Sequence, residues 1–345
     1  MEALDPARSG KPPADQTRHL FLAVIVSIIS GFNVLYPAPS QIWEELPPMI
    51  EGRSGMVAFI TSYSEPAYFG GSSWRDGVKR FHASGFALRN GEWKPLEPLA
   101  VSIAYAAVTA KECLTYAIGG ADGIRLRSET LVFDRNSQIV ADNTYGIQSR
   151  IYAGAAWLGT DLYVLGGSTT LSPLKPSASV EKFESGRWNE VSQLPEGALI
   201  NPAVTNLEAK ILVFGGGFPV ANGLKNTHSV YSFEPEKSLW SKLGNLPFPI
   251  RGAVALTVPS IGVLVAGGYI EKGEFSNSVL KFDPETNQFN SLTQLPIGLM
   301  LPAFVLDGEW LYLFGGEDAP EKRSKRAFRA FLPNLLRLQS NQDSL

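Results

Sequence analysis

Short apolar runs that end in two glycines recur along the chain. They are Tyr68-Phe69-Gly70-Gly71, Ala117-Ile118-Gly119-Gly120, Val164-Leu165-Gly166-Gly167, Val213-Phe214-Gly215-Gly216, Val265-Ala266-Gly267-Gly268 and Leu313-Phe314-Gly315-Gly316. Their first glycines lie 49, 47, 49, 52 and 48 residues apart. Each run has the composition of a short buried strand. After most doublets a polar loop leads to another apolar strand, at 130–134, 179–183, 229–233 and 278–283. An aromatic residue with leucines at three-residue spacing then follows, as in Trp93/Leu96/Leu99, Trp240/Leu243/Leu246 and Phe289/Leu292/Leu295. Trp188 and Leu194 fit more loosely, and the second unit lacks the tryptophan. The pattern predicts six four-stranded antiparallel units, none able to bury both faces alone. Packed radially, they form an all-β, six-bladed β-propeller. Paired glycines suit backbones that approach closely or adopt positive φ.

The chain ends fit one closed ring. Trp43-Glu44-Glu45-Leu46 is an orphan strand ahead of the first unit, and the last unit runs out after Ala327-Phe328-Arg329-Ala330-Phe331. The first is expected to complete the last blade. This gives an N-terminal segment (1–40), one propeller (41–337) and a C-terminal tail (338–345). Length alone, 345 residues, suggests two or three domains; the repeat replaces them with one.

The N-terminal segment holds its own apolar run, Leu-Phe-Leu-Ala-Val-Ile-Val-Ser-Ile-Ile at 20–29, continuing loosely to Tyr36. Arg8, Lys11 and Arg18 precede it, offset by Glu2, Asp5 and Asp15. It reads as an export signal or as an uncleaved membrane anchor, the other reading being a first buried element. Export would make the propeller periplasmic or extracellular, tethered if residues 20–36 are retained.

Composition narrows the function classes. The net charge is -3, so no general basic field attracts nucleic acid. One cysteine, Cys113, and three histidines leave no disulfide framework and little for a metal site. Neither a metal nor an organic cofactor is expected. Cys113, beside an apolar strand, reads as a buried packing residue.

The doublets, the aromatic strand and the Trp-x-x-Leu element over 41–333 resemble kelch-repeat propellers. Within them, Gly316-Glu317-Asp318-Ala319-Pro320-Glu321-Lys322-Arg323 is similar to a Gly-Glu-x-x-Pro-x-x-Arg element of the N-acetylneuraminate (sialic acid) epimerases, or mutarotases. Leu99-Ala100-Val101-Ser102-Ile103-Ala104-Tyr105 followed by Gly119-Gly120-Ala121-Asp122-Gly123 is a second match. The blade order looks cyclically permuted. The loop Ser72-Ser73-Trp74-Arg75-Asp76-Gly77 departs from the expected Asn-Phe-Pro-like sequence. The resemblance implies an isomerase acting on the anomers of a sialic or related sugar acid, with Glu317 moving the anomeric proton and Arg323 holding the carboxylate or developing oxyanion. The alternative is a non-catalytic kelch propeller that binds a glycan or a protein.

The residues have their own readings. Glu317 follows a doublet, which places it at a loop near the mouth, as a proton acceptor or a solvated acid. Arg323 sits in the basic run Lys322-Arg323-Lys325-Arg326-Arg329, as an anion-binding fork or surface charge. Arg53, Arg150 and Arg251 precede their doublets by 17, 16 and 16 residues. They suit either an arginine ring for an anionic ligand or bonds to neighbouring loop carbonyls. Trp74, Arg75 and His82 lie in the long loop of the first unit, able to cap a sugar or to stand as surface. Asp122 and Arg125 are weaker candidates. His228 opens a strand and reads as a packed or edge residue.

Overall fold

The computed structural model describes residues 42–143, 147–221 and 223–342. The apolar segment at 20–36 and the 1–40 boundary fall outside the described residues. No helix among the described residues is long and apolar enough to cross a membrane.

Each doublet lies at the end of the blade's second strand or, in the first blade, inside a second strand that runs on to Arg75. In the first blade the strands are Ser54–Ile60, Pro66–Arg75, Gly85–Arg89 and Glu92–Leu96, paired antiparallel in that order. Five more blades repeat the order, with first strands Ala107–Lys111, Gly154–Leu158, Ala203–Leu207, Val254–Val258 and Ala303–Asp307. These first strands pack against one another around the axis. The doublet strand therefore sits one place out from the axis. Ala58, Val108, Ala155, Val204, Ala255 and Val305 of the six first strands line a central channel of about 450 Å³.

The glycines join one blade to the next. The second glycine of each doublet donates its N–H to the chain entering the neighbouring blade: Gly71 to Ile103, Gly120 to Arg150, Gly167 to Leu199, Gly216 to Ile250, Gly268 to Leu299 and Gly316 to Arg53, all at 2.7–2.8 Å. The last bond closes the ring. The first glycine has no room for a side chain, because a Cβ on Gly70 would stand 2.1 Å from the Ile103 carbonyl oxygen, at a φ of +70°. Gly77, at a hairpin tip with φ +73°, has nothing within 4 Å. Gly70→Ala is expected to cost about 2–4 kcal/mol in urea denaturation, left-handed backbone plus overpacking, and Gly77→Ala about 1 kcal/mol, backbone alone. Equal losses would show that blade contact does not select the doublet.

The N-terminal strand completes the sixth blade as the pattern predicts. Trp43–Leu46 pairs antiparallel with Ala327–Phe331, Trp43 opposite Ala330 and Leu46 opposite Ala327. Arg329 forks onto Glu44 with both bonds at 2.8 Å, and Arg326 onto Glu45 at 2.9 and 3.2 Å. A C-terminal helix, Leu332–Gln342, follows where the strand pattern ran out. It buries Leu332 and Leu335 against the core shared with Leu292, Leu295 and Leu299 of the fifth blade.

Candidate functional site

The doublet ends of the second strands and the starts of the first strands share one end of the propeller, here the loop face. Just before or inside each first strand one residue takes positive φ: Gly55 (65°), Tyr105 (60°), Tyr152 (61°), Asn201 (52°), Gly252 (64°) and Leu301 (51°). They are linked around the channel mouth. The N–H of Tyr105 donates to Gly55 O at 2.9 Å, Tyr152 to Tyr105 at 3.1 Å, Asn201 to Tyr152 at 2.8 Å, Gly252 to Asn201 at 2.9 Å and Leu301 to Gly252 at 2.8 Å. Left-handed backbone costs a tyrosine about 1–2 kcal/mol; the collar bonds offset it. The sequence reading missed Tyr105 and Tyr152 as a pair, although both precede their doublets by 14 residues.

Blade six raises a small hairpin, Glu317–Ala319 with Lys322–Arg323, beside this collar. Glu317 and Arg323 are paired across it, and their side chains meet, Arg323 Nη2 to Glu317 Oε1 at 3.1 Å. Ser54 Oγ donates to the same carboxylate oxygen at 3.2 Å, and Arg323 Nη2 donates to the Tyr105 hydroxyl at 3.5 Å. That hydroxyl also bonds Ser72 Oγ. A polar chain thus runs from blade six through blade one to blade two. The Tyr152 ring lies tilted against Tyr105, at an interplanar angle of 54° with ring centroids 4.7 Å apart. Burial, and after it the neighbouring Tyr105 and Glu317, push the Tyr152 phenol well above its ordinary value, so it stays protonated. The Arg323 guanidinium is only 3% exposed. Of the Glu317 carboxylate, Oε1 takes both Arg323 and Ser54.

The other sequence candidates separate. Arg53 is buried in blade one, where it donates to Gly70 O at 3.0 Å and to Ser84 O at 2.9 Å. Arg150 is buried in blade three and donates to Gly166 O at 3.1 Å and Ser179 Oγ at 2.9 Å, with Glu181 as its ion partner. Both therefore tie down the carbonyl of a doublet's first glycine. Arg251 donates to Asn226 Oδ1 at 2.5 Å and lies 4.2 Å over the Tyr269 ring. Trp74 is half-buried, with the Lys79 ammonium 5.5 Å from its ring centre; Arg75 is exposed beside it. His82 contacts Ser73 Oγ at 2.8 Å and Glu51 at 3.4 Å. Asp122 accepts from the backbone N–H of Ile124 and Arg125. His228 is exposed at its strand start. Cys113, expected to be buried, is exposed. It sits in the tight turn between Ala107–Lys111 and Leu114–Ile118, which points away from the loop face.

The loop face also exposes what the sequence reading overlooked. Val78 (56% exposed), Ile124 (92%), Leu174 (38%) and Val220 (43%) stand in the post-doublet loops of four consecutive blades. They recur 46, 50 and 46 residues apart, close to the period of the doublets. That shared period was the signal available in the sequence.

Comparison with known proteins fits this geometry. A model of the kelch motif matches residues 251–296, the fifth blade. The chain is 28% identical to Kelch-like protein 38 of Homo sapiens over 157 residues, which is 46% of this chain and 27% of that protein. It is 24% identical to Kelch-like protein 15 of Danio rerio over 297 residues, 76% of this chain and 46% of that protein. It is 26% identical to Beta-scruin of Limulus polyphemus over 202 residues, 54% and 21%. The chain spans less than half the length of these relatives. They overturn the expectation of an isomerase, since the resemblance they carry is to Kelch-like proteins and scruin and not to sugar-acid epimerases. The chain is an all-β, six-bladed β-propeller whose fifth blade matches the kelch motif.

Proposed function

We propose that the chain is a non-catalytic propeller that holds a protein partner on its loop face. One observation carries this reading: large aliphatic side chains stand exposed in the same loop of four consecutive blades. A single exposed aliphatic residue is ordinary, but four at repeat-equivalent places form a surface whose cover by a partner would gain about 25 cal/mol per Å². Matches to Kelch-like proteins support a binding role over a catalytic one. In this reading the Glu317–Arg323 pair is structural. It fixes the sixth-blade hairpin to the collar and so sets the floor between the loops.

The test compares baits of the full chain. One variant replaces Val78, Ile124, Leu174 and Val220 with Ser; a control replaces Tyr63 and Leu239, exposed on turns of the opposite face, with Ser. At least one protein retained by the parent and the control is expected to fall about tenfold or more with the loop-face variant, at unchanged melting temperature. Equal capture by all three baits overturns the reading.

A further inference from the structure

Resting on that reading, we infer that the occupant of the loop face is an acidic peptide segment carrying aliphatic side chains, laid across blades one to four. Charge separates these blades from the other two. Their post-doublet loops expose the cations Arg75, Arg80, Arg125, Lys175 and Lys225 beside the four aliphatic tips. Among the described residues of these loops, Asp76 is the exposed carboxylate. Asp122 is turned into its own loop, bonded to the backbone of Ile124 and Arg125, and Glu129 lies 3.5 Å from the buried Arg127. The same loops of blades five and six expose Glu271, Glu274 and Glu321 together with Lys272, Lys322 and Lys325, so that their charges balance. In a chain of net charge -3 the exposed excess of cations on this face lies where the aliphatic tips are. Such an arc attracts a segment with interleaved acids and aliphatics, while the balanced loops of blades five and six add no such pull.

Backbone geometry favours a peptide over a lipid surface. In blade one Val78–Phe81 pairs only with the doublet strand, and in blade four Gly223–Asn226 pairs only with Gly217–Val220. Each leaves a strand edge with backbone donors and acceptors beside an aliphatic tip. An extended segment can add to such an edge, its alternate side chains meeting the tips and the cations. A bilayer offers no backbone to pair with it.

A random library of peptides roughly 12 residues long, displayed on phage and panned on the full chain, is the test. Selected peptides are expected to be enriched in Asp and Glu together with Leu, Ile and Val. As synthetic peptides they should lose about fivefold or more in affinity as salt rises from about 50 to 300 mM. Arg75→Glu with Arg80→Glu, and separately Val78→Ser with Ile124→Ser, should each weaken them about tenfold while the melting temperature holds. Three results overturn the acidic occupant: selected peptides that are neutral or basic, acidic peptides whose affinity survives both variants, or tighter binding to phosphatidylserine vesicles than to any selected peptide. Neutral peptides lost with Val78→Ser and Ile124→Ser would still leave the partner-binding reading standing. Neither peptide nor protein binding that depends on the loop face would remove both.

Discussion

Deleting Trp43–Leu46 from the otherwise intact chain is expected to abolish cooperative folding. These four residues supply the outer strand of blade six and pair with Ala327–Phe331 along its length. Trp43 is 7% exposed and packs near Phe304, with ring centroids 6.5 Å apart. Losing a buried tryptophan alone costs about 3–5 kcal/mol. The deletion also frees Arg326 and Arg329 from their carboxylates and leaves the edge of Ala327–Phe331, whose Ala327, Phe328 and Ala330 are at most 1% exposed, open to water and to other chains. Together these losses approach the whole stability of a domain, about 5–15 kcal/mol. Circular dichroism should show a broad, early melt, and size exclusion should show aggregates. A control keeps the strand and removes only the charges. Glu44→Gln with Glu45→Gln should cost about 1 kcal/mol or less, because both forks lie at the surface. A deletion variant that melts like the parent would mean that the ring does not depend on this strand for closure.

That closure was legible in the sequence for a definite reason. Gly-Gly recurs because the first glycine meets a carbonyl of the next blade and the second donates to it, so blade number and period stand in the chain itself. The orphan strand was readable because a sixth doublet lacked a fourth strand. Which strand lies innermost was not readable, since Val, Leu and Phe before a doublet mark burial and not distance from the axis. The helix Leu332–Gln342 was missed because it adds no repeat. Glu317 and Arg323 show how a motif can mark two residues without showing how they meet. With Pro320-Glu321 at the turn a regular hairpin sets Arg323 opposite Asp318; the irregularity between Glu317 and Ala319 brings Glu317 opposite Arg323 instead. The partners that close the pair, Ser54 and Tyr105, come from other blades and could not be seen from the motif. The aliphatic tips were overlooked because a single Ile124 in a polar loop looks incidental; only the propeller makes its loop the equivalent of those that carry Val78 and Leu174.

Arg150→Ala is expected to destabilise the full chain by about 3–5 kcal/mol in urea denaturation, the cost of leaving a buried charge without its partner. Arg150 is 1% exposed and Glu181 is 7% exposed. The guanidinium holds Glu181, the Gly166 carbonyl and Ser179 together across blade three. Burial lowers its pKa to about 10, which still leaves it charged at neutral pH, so the pair is ionic in the folded protein. Arg150→Lys keeps the charge but has one point of contact where the fork had several, and should lose about 1–3 kcal/mol. The double variant Arg150→Met with Glu181→Leu should recover much of the loss, because the buried carboxylate goes with its partner. Arg125 supplies the contrast. It pairs with Asp122 at 3.4 Å but is 68% exposed, so Arg125→Ala should cost less than about 1 kcal/mol. A loss below about 1 kcal/mol for Arg150→Ala would mean that blade three does not need this fork. The guanidinium would then be free to turn toward the channel mouth, where an arginine ring for an anionic ligand was one reading of its place in the repeat.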